Sequence, residues 1–275
     1  MLGEIFLETI KIISIVAVLM TVVEWFQIRF EEKIEKVLTR SKKTQIIGAS
    51  LLGTLPGCID AFLVVSLYSH GLVGFGALVA VMLSTAGDEA FVMLAMIPKT
   101  ALLIFAFCAV FGVLGGFLAE KVAKKLRLKR AEVCPIEIHK KERGARHFLK
   151  EHVFGHIIKT HLPRFFLWIF GTLLVVDLLL ERFDLISVLP QSKLLLILLA
   201  AGVGVIPESG PHLIFLTLFS EGLIPFSVLL VSTLSQDGHG LLPLLSYSFR
   251  ETVRVQIFTT VFALGIGLVL FFVGV

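Results

Sequence analysis

The sequence contains two related halves that are offset from each other by 151 residues. With this offset Pro56 aligns with Pro207, and the alignment continues without a gap to Leu94 and Leu245. Other identical pairs are Gly53/Gly204, Ser69/Ser220, Gly71/Gly222, Phe75/Phe226, Ser84/Ser235 and Gly87/Gly238. Because glycine and proline mark points where a helix stops or bends, these matches indicate one backbone plan that is used twice. Internal repeats of this kind are typical of secondary transporters.

Both halves consist largely of long apolar segments. The segments span roughly 5–27, 45–69, 72–97, 100–118, 164–182, 193–220, 224–248 and 254–274. Several reach the ~20 residues that a helix needs to cross a bilayer. Charged residues make up 17% of the chain, against roughly 25% in soluble domains, and the mean hydropathy is +0.94. The sequence therefore predicts an all-α, multi-pass integral membrane protein, which we expect in the cytoplasmic membrane.

Basic residues are concentrated in two stretches. Twelve of the 25 Lys and Arg residues lie within 119–163 and six lie within 29–43. The positive-inside rule places both stretches in the cytoplasm. Within the stretch 29–43, residues 31–43 have apolar side chains at helical spacing, which predicts a separate helix lying in the membrane interface. We divide the chain into a first transmembrane repeat (1–118), a basic cytoplasmic connector (119–163) and a second transmembrane repeat (164–275).

The basic stretches also constrain the topology. If both are cytoplasmic, the chain between them crosses the membrane an even number of times, although three apolar segments lie there. We therefore expect segment 45–69, which is broken at Leu55–Cys58, to be a re-entrant hairpin. Each repeat then crosses an odd number of times, so the two repeats have inverted topology and their breaks meet at the midplane. The alternative is eight full spans in two parallel repeats.

Each repeat contains two polar breaks within its apolar sequence. The breaks are LPGCID (55–60) and AGDE (86–89) in the first repeat, and IPESGPH (206–212) and SQDGHG (235–240) in the second. Their candidate site residues are Cys58, Asp60, Asp88, Glu89, Glu208, Ser209, His212, Gln236, Asp237 and His239. Because carboxylates are costly inside a membrane, we interpret this group as a translocation site. Carboxylate and imidazole groups suit a divalent metal ion such as Mn²⁺, Fe²⁺ or Zn²⁺, and they can also carry protons.

Two other interpretations of the breaks stay open. The polar residues can hold broken helices together without binding an ion. Alternatively, half-helix N-termini near Gly57 and Gly210 can bind an anion, although the breaks contain several carboxylates and no Lys or Arg. For a cation site we expect Glu89 to lie one step off the site-facing side. The residues that we expect at its centre are Asp88, Glu208, His212, Asp237 and His239.

The connector is rich in histidine. It contains His139, His147, His152, His156 and His161, together with Cys134. A metal-sensing or metal-delivery site is one interpretation of this composition. A basic amphipathic helix at the lipid interface is the interpretation that we favour, because the histidines share the segment with many lysines and arginines.

Other function classes have little support. The chain lacks the phosphate-loop pattern GxxxxGK[ST], the metalloprotease pattern HExxH and the hydrolase pattern GxSxG. We therefore expect no enzyme activity and no direct use of ATP. The alternatives from another class are an intramembrane hydrolase, in which Asp88 and Asp237 would pair, and a membrane scaffold that transports nothing. No nucleic-acid-binding motif accompanies the basic connector, so we expect no nucleic-acid partner.

The break motifs resemble those of a known family, the ten-helix heavy-metal exporters of bacteria and archaea. Members of that family are described as manganese transporters or arsenic efflux proteins. The resemblance rests on LPGCIDAF (55–62), STAGDEAFVMLAMIP (84–98), IPESGPHLIF (206–215) and SQDGHGLLPLL (235–245), and it extends over essentially the whole chain. One departure is Ile59-Asp60, where the family pattern has smaller residues after the cysteine. The resemblance implies ten helices, five in each repeat, and efflux of a metal or metalloid.

These observations lead to one predicted function and one close alternative. We expect a secondary transporter that exports a divalent heavy-metal cation, with manganese favoured, by proton-coupled alternating access. The alternative is efflux of an arsenic oxyanion or an organoarsenical, for which Cys58 and the half-helix amides matter more than the carboxylates. We expect the metal as transported substrate, no cofactor, protons as the coupling ion and the lipid bilayer as surroundings. The sequence leaves the oligomeric state open, with a homodimer as one option.

Overall fold

The computed structural model describes residues 2–38, 40–128, 159, 162–182 and 192–274. The first half contains α1 (Leu2–Leu38), α2 (Lys42–Gly53), α3 (Ile59–Ser69), α4 (Phe75–Ser84), α5 (Glu89–Met96) and α6 (Pro98–Lys125). The second half contains α7 (Leu162–Arg182), α8 (Lys193–Val203), α9 (Leu213–Ser220), α10 (Phe226–Ser235), α11 (Leu241–Tyr247) and α12 (Phe249–Val273). Short 3₁₀ helices at Gly210–His212 and Gly238–Gly240 precede α9 and α11. Across these described ranges all regular secondary structure is helical, as the apolar segments predict.

The helices of the two halves follow the offset found in the sequence. Helices α4 and α10 correspond residue for residue, and α6 and α12 begin at the matched positions Pro98 and Phe249. If α4/α5 and α10/α11 are each counted as one interrupted segment, the described residues contain five segments in each half. The sequence repeat is therefore also a repeat of secondary structure.

Helices α2 and α3 form a hairpin. The side-chain amide of Gln45, in the first turn of α2, donates to the carbonyl oxygen of Leu72 at 3.1 Å. The backbone N–H of Gly74 donates to Gln45 Oε1 at 3.2 Å. Since Leu72 and Gly74 follow the end of α3, the chain returns to the level at which α2 begins. The turn of the hairpin is the break around Gly57, which has a φ of +114° that suits glycine.

Glycines allow the helices of each half to pack closely. In the first half Gly53 of α2 lies against Ser84 of α4, and in the second half Gly204, directly after the end of α8, lies against Ser235 of α10. In each case a Cβ atom at the glycine would collide with the serine side chain. The glycine and the serine of this contact are the same in both halves. The repeat therefore preserves the packing of α4 against α2 and of α10 against the end of α8.

The last helix of each half packs in the same way. A Cβ atom added to Gly116 of α6 would lie 2.8 Å from Ile46 Cγ2. The matched Gly267 of α12 would bring a Cβ atom 2.8 Å from Cγ2 of Ile197, which is the matched isoleucine. Side chains larger than glycine at these positions would push the helices apart, and the two halves are therefore built on one packing plan.

The structure has the features of a multi-pass membrane protein. Within the described ranges, four segments are long and apolar enough to cross a membrane: Leu2–Val22, Phe75–Met96, Pro98–Lys125 and Phe249–Val273. The second of these combines α4 and α5 and is almost entirely enclosed by other helices. By contrast, Leu102, Val110 and Leu114 of α6 are each more than half exposed. In a bilayer such apolar side chains face lipid.

Some predictions made from the sequence differ from the structure or fall outside it. Residues 31–38, which were predicted to begin a separate interfacial helix, instead continue α1 without interruption as far as Leu38. Helix α6 extends to Lys125, beyond the boundary of the first repeat at residue 118. The five connector histidines and Cys134 lie outside the described residues, which between 129 and 161 include Lys159 alone.

Candidate functional site

The breaks between α4 and α5 and between α10 and α11 face each other. Gly87 has a φ of +53° and the matched Gly238 has a φ of +52°, a backbone conformation that L-residues with side chains rarely adopt. A Cβ atom added to Gly87 would lie 3.9 Å from the Cα atom of Gly238, and the reverse distance is 3.8 Å. The two backbone segments therefore approach each other closely, because neither Gly87 nor Gly238 has a side chain.

The other two breaks reach the same place. Ser209 Oγ lies 3.0 Å and Cys58 Sγ lies 3.9 Å from the position that a Cβ atom of Gly87 would occupy. The backbone N–H of Gly57 donates to the carbonyl oxygen of Gly87 at 3.1 Å. Cys58 and Ser209 are matched by the 151-residue offset, so each half contributes one thiol or hydroxyl group from its hairpin. All four breaks thus converge around Gly87 and Gly238. We call this region the break centre.

Carboxylates from both halves are buried at the break centre. Asp88, Glu89 and Asp237 have exposed fractions of 3%, 0% and 1%. The thiol of Cys58 donates to Asp88 Oδ1 at 3.4 Å. Three acidic groups therefore lie in an enclosed region where an unneutralised charge is strongly unfavourable.

Glu89 forms a contact between the halves. The side-chain amide of Gln236 donates to Glu89 Oε2 at 2.6 Å and to the carbonyl oxygen of Ala86 at 3.3 Å. Glu89, which the sequence analysis expects one step off the site-facing side, thus has its carboxyl group against the break of the opposite half. It follows Gly87 by two residues, and the left-handed backbone of Gly87 changes the direction of the chain there.

Asp237 and His212 are held by side chains on helices of the second half. The hydroxyl of Thr259, on α12, donates to Asp237 Oδ2 at 3.3 Å. His212 is fully buried, and its Nδ1 lies 2.9 Å from Ser232 Oγ on α10. These contacts fix one polar atom of each side chain and leave the second atom available for another partner.

Five buried polar atoms of the candidate residues have no hydrogen-bond partner within the described part of the chain. They are Glu89 Oε1, Asp237 Oδ1, Gln236 Oε1, Ser209 Oγ and His212 Nε2. Buried polar atoms are nearly always bonded, so a group of them is unusual in a protein interior. The Thr260 hydroxyl on α12 is also buried without such a partner, but these five atoms are concentrated at three of the four breaks, and this concentration indicates a region that receives a polar ligand.

The structure does not assemble all ten candidate residues into one ligand set. Asp60 is buried in the first turn of α3, and Glu208 is half-buried in the break between α8 and α9. The side chain of His239 lies outside the described residues. Among the described side chains, no three His, Cys, Asp or Glu residues are close enough together to hold a metal ion.

The sequence did not single out Thr259, Ser232 or Thr85. Thr85 Oγ1 accepts a hydrogen bond of 3.0 Å from the N–H of Gly87 and so helps to fix the first inner break. The offset could have identified Thr85, because it matches Gln236. Thr259 and Ser232 are polar residues within apolar helices, but sequence alone does not say which face of the helix they occupy.

Comparison with known proteins identifies the family. A family model described as "Putative, 10TM heavy-metal exporter" matches residues 8–180 and 147–274, which together include all four breaks. No curated protein and no solved structure matches the chain. With α4/α5 and α10/α11 each counted as one, the described helices form ten segments, the number in the family's description, and four of these segments have the length and hydropathy of a full span. The match covers nearly the whole chain, and the protein therefore belongs to this family of ten-helix heavy-metal exporters.

Proposed function

We propose that the protein exports a divalent heavy-metal cation, with Mn²⁺ as the favoured substrate, and that protons move in exchange by alternating access at the break centre. The observation that carries the proposal is the burial of Asp88, Glu89 and Asp237 where the breaks of both halves meet. Oxygen ligands from carboxylates suit hard divalent cations such as Mn²⁺.

The charge of the break centre favours a cation over an anion. The four breaks contain five carboxylates and no Lys or Arg. An anion would have to rely on free backbone amides, but the N–H of Gly57 is already bonded to the carbonyl oxygen of Gly87. A divalent cation would neutralise the buried carboxylates, whereas an anion would add to their repulsion.

Movement of the breaks is part of the proposed mechanism. The candidate ligands are near each other but do not form a group of three in the described structure. A complete site therefore requires the breaks to approach further, and their glycines permit such a change of backbone direction. When the cation leaves, protons can occupy the same carboxylate oxygens, so that cation and proton compete for one site.

We further propose that the two halves are inverted in the membrane. The last turn of α6, at Ala123 and Lys124, and the first turns of α12, at Glu251 and Arg254, line the same pocket. This arrangement supports opposite directions for the two matched helices. The pocket also contains Lys42 and Lys124 from the basic stretches, and the positive-inside rule favours the cytoplasm for this side. On this topology α2 and α3 enter and leave the membrane from the cytoplasm.

The proposal is tested by substituting Asp237 with asparagine, which keeps the size of the side chain but removes its charge. In proteoliposomes, native protein should show Mn²⁺-dependent proton flux, and both Asp237→Asn and Glu208→Gln should abolish it. Glu221→Gln is the matched control, because Glu221 is an exposed carboxylate at the end of α9 and should not affect flux. Undiminished flux in Asp237→Asn and Glu208→Gln, with both proteins folded, would disprove the proposal.

A second candidate substrate is favoured by Cys58. Its thiol lies at the break centre and contacts Asp88, and thiolate ligands prefer soft metals and metalloids. On this alternative the protein exports an arsenical species. Expression in an arsenic-sensitive host should then relieve arsenical toxicity and Cys58→Ser should remove the protection, whereas the manganese proposal predicts relief of Mn²⁺ toxicity that Cys58→Ser largely retains.

A further inference from the structure

An open pocket of about 400 Å³ lies where the two halves meet, at the end of α6 and the beginning of α12. It is lined by residues of both halves, including Lys42, Tyr68, Glu120, Lys124, Glu251 and Arg254. Lys42 and Lys124 are well exposed and form ion pairs with Glu120 at 3.1 and 3.7 Å. The outer part of the pocket is therefore exposed and charged.

The inner part of the pocket is closed by a buried polar cluster. The hydroxyl of Tyr68 donates to Glu251 Oε2 at 2.8 Å, and Arg254 Nη1 donates to Glu251 Oε1 at 2.7 Å. Tyr68 and Glu251 are only 2% and 1% exposed. Tyr68 lies on α3 of the first half and Glu251 on α12 of the second, so the cluster joins the halves. Each carboxylate oxygen of Glu251 has a partner, which offsets the cost of burying its charge.

The helices that carry this cluster also lead to the break centre. Tyr68 follows Cys58 by ten residues, which is about 15 Å along α3. Glu251 precedes Thr259, the partner of Asp237, by eight residues, or about 12 Å along α12. A separation of α3 from α12 at the pocket would therefore open a path to the site residues.

A third helix completes this path. Helix α11 runs beside α3 from the break centre, where a Cβ atom on Gly240 would lie 2.6 Å from Ala61 Cβ. At the other end of the two helices the rings of Tyr68 and Tyr247 meet edge to face, with centroids 6.3 Å apart. Tyr68 thus contacts both α11 and α12, the second-half helices on either side of the path, and its position allows it to close that path.

The cluster has no counterpart at the matched positions. Under the 151-residue offset Tyr68, Glu251 and Arg254 correspond to Phe219, Thr100 and Leu103. This second set has no charged side chain and cannot form the same ion pair and hydrogen bond. The two halves share one backbone plan, so the polar cluster is a specialisation of one side of the molecule.

We propose that Tyr68, Glu251 and Arg254 form a gate between the pocket and the break centre, and that the gate must separate before a cation can pass from the pocket to the site. This inference rests on the proposed transport function. When the gate opens, Glu251 exchanges its protein partners for water in the pocket. The bonds of Tyr68 and Arg254 therefore stabilise the closed state, and weakening either bond shifts the population towards the open state.

Cys58 provides a direct measure of access to the break centre. In a background with Cys108→Ala and Cys134→Ser, Cys58 is the single thiol in the chain. Its rate of labelling by a membrane-impermeant maleimide can be measured in membrane vesicles of either orientation. Because a hydrogen bond to a charged group is lost, Tyr68→Phe should raise the rate from the pocket side about tenfold. The rate from the opposite side should not rise.

Matched variants separate the gate from a general loosening of the fold. Tyr68→Phe removes one oxygen atom and retains the aromatic ring. Arg254→Gln should raise labelling from the pocket side in the same way, and Glu221→Gln should leave it at the rate of the parent protein. Equal rates in Tyr68→Phe, Arg254→Gln and the parent would overturn the gate. Increased labelling from both sides would also overturn it.

The outcomes for the gate and for the proposed function can be told apart. If the parent protein shows Mn²⁺-dependent flux while labelling is unaffected by both gate variants, the gate is wrong and the transport proposal stands. If labelling rises from the pocket side but no Mn²⁺-dependent flux occurs, access is gated as inferred and the proposed substrate is wrong.

Discussion

The two inner breaks share a backbone but differ in their side chains. Gly87 and Gly238 have nearly the same φ angle, and each is preceded by a helix that packs through a matched Gly–Ser contact. Across the offset, however, Thr85 corresponds to Gln236, Ala86 to Asp237, Asp88 to His239 and Glu89 to Gly240. The repeat therefore supplies two similar frames, whereas the chemistry is distributed unequally between them. The proposed site is therefore asymmetric, and the repeat does not supply two equivalent sites.

Among the variants that compare the two frames, the largest effect is expected from removing Glu89, an acidic group that one frame has and the other lacks. Glu89 corresponds to glycine in the second half, and its Oε1 has no partner among the described residues. Glu89→Gln retains the shape of the side chain but removes a charged ligand, so Mn²⁺-dependent flux in proteoliposomes should fall on the order of 100-fold. The exposed Glu221→Gln again serves as control. Flux near the native level in Glu89→Gln would show that this carboxylate is structural and that the asymmetry has no role in transport.

The shared frame can be tested at its closest helix contacts. A Cβ atom on Gly204 would collide with Ser235, so Gly204→Ala should destabilise the protein by about 2–3 kcal/mol. The matched Gly53→Ala should have a similar effect, because Gly53 meets Ser84 in the same way. Thermal unfolding in detergent measures both changes.

Gly202 is the control for this comparison. It lies in the last turn of α8, two residues before Gly204, and a Cβ atom there would meet nothing within 4 Å. Gly202→Ala should therefore leave stability unchanged or raise it slightly through the better helix propensity of alanine. If Gly53→Ala were tolerated while Gly204→Ala was not, the two frames would not be equivalent.

The inner breaks should respond less strongly and unequally. Alanine at Gly87 or Gly238 would be forced into the left-handed conformation, at a cost of about 1–2 kcal/mol. At Gly87 the new Cβ atom would also lie 3.0 Å from Ser209 Oγ, whereas at Gly238 that distance is 3.8 Å. Gly87→Ala should therefore lower the unfolding temperature more than Gly238→Ala. The double variant Gly87→Ala/Ser209→Ala should recover the difference, and a failure to recover it would assign the extra cost to another contact.

The sequence predicted the frame because the frame depends on local backbone requirements. Glycines and prolines at matched spacing located the breaks, and the break centre contains the predicted Cys58, Ser209 and Asp237. The residues at which helices end were harder to predict from the sequence. Residues 23–38 contain no glycine or proline to end α1, so a charged stretch that looked like a separate helix continues the first one.

The contacts between halves could not be derived from the sequence. The bond from Gln236 to Glu89 depends on how one half is placed against the other, and on the change of direction at Gly87. The Tyr68–Glu251 bond joins residues that are 183 positions apart, and neither residue belongs to a break. Such contacts follow from tertiary packing, which a periodicity argument within one segment does not contain.

The smallest expected effect concerns Thr259, which supports the second frame from α12. Its hydroxyl has one proton and two acceptors, Asp237 Oδ2 at 3.3 Å and the carbonyl oxygen of Gln256 at 3.2 Å. Since the bond to Asp237 is shared, Thr259→Val should weaken the apparent affinity for Mn²⁺ only about fivefold and leave the maximal flux close to native. Thr260→Val is the matched control, because the Thr260 hydroxyl is buried with no partner within the described residues. If both variants weakened the affinity equally, the effect would come from packing of α12, and Thr259 would have no specific role in orienting Asp237.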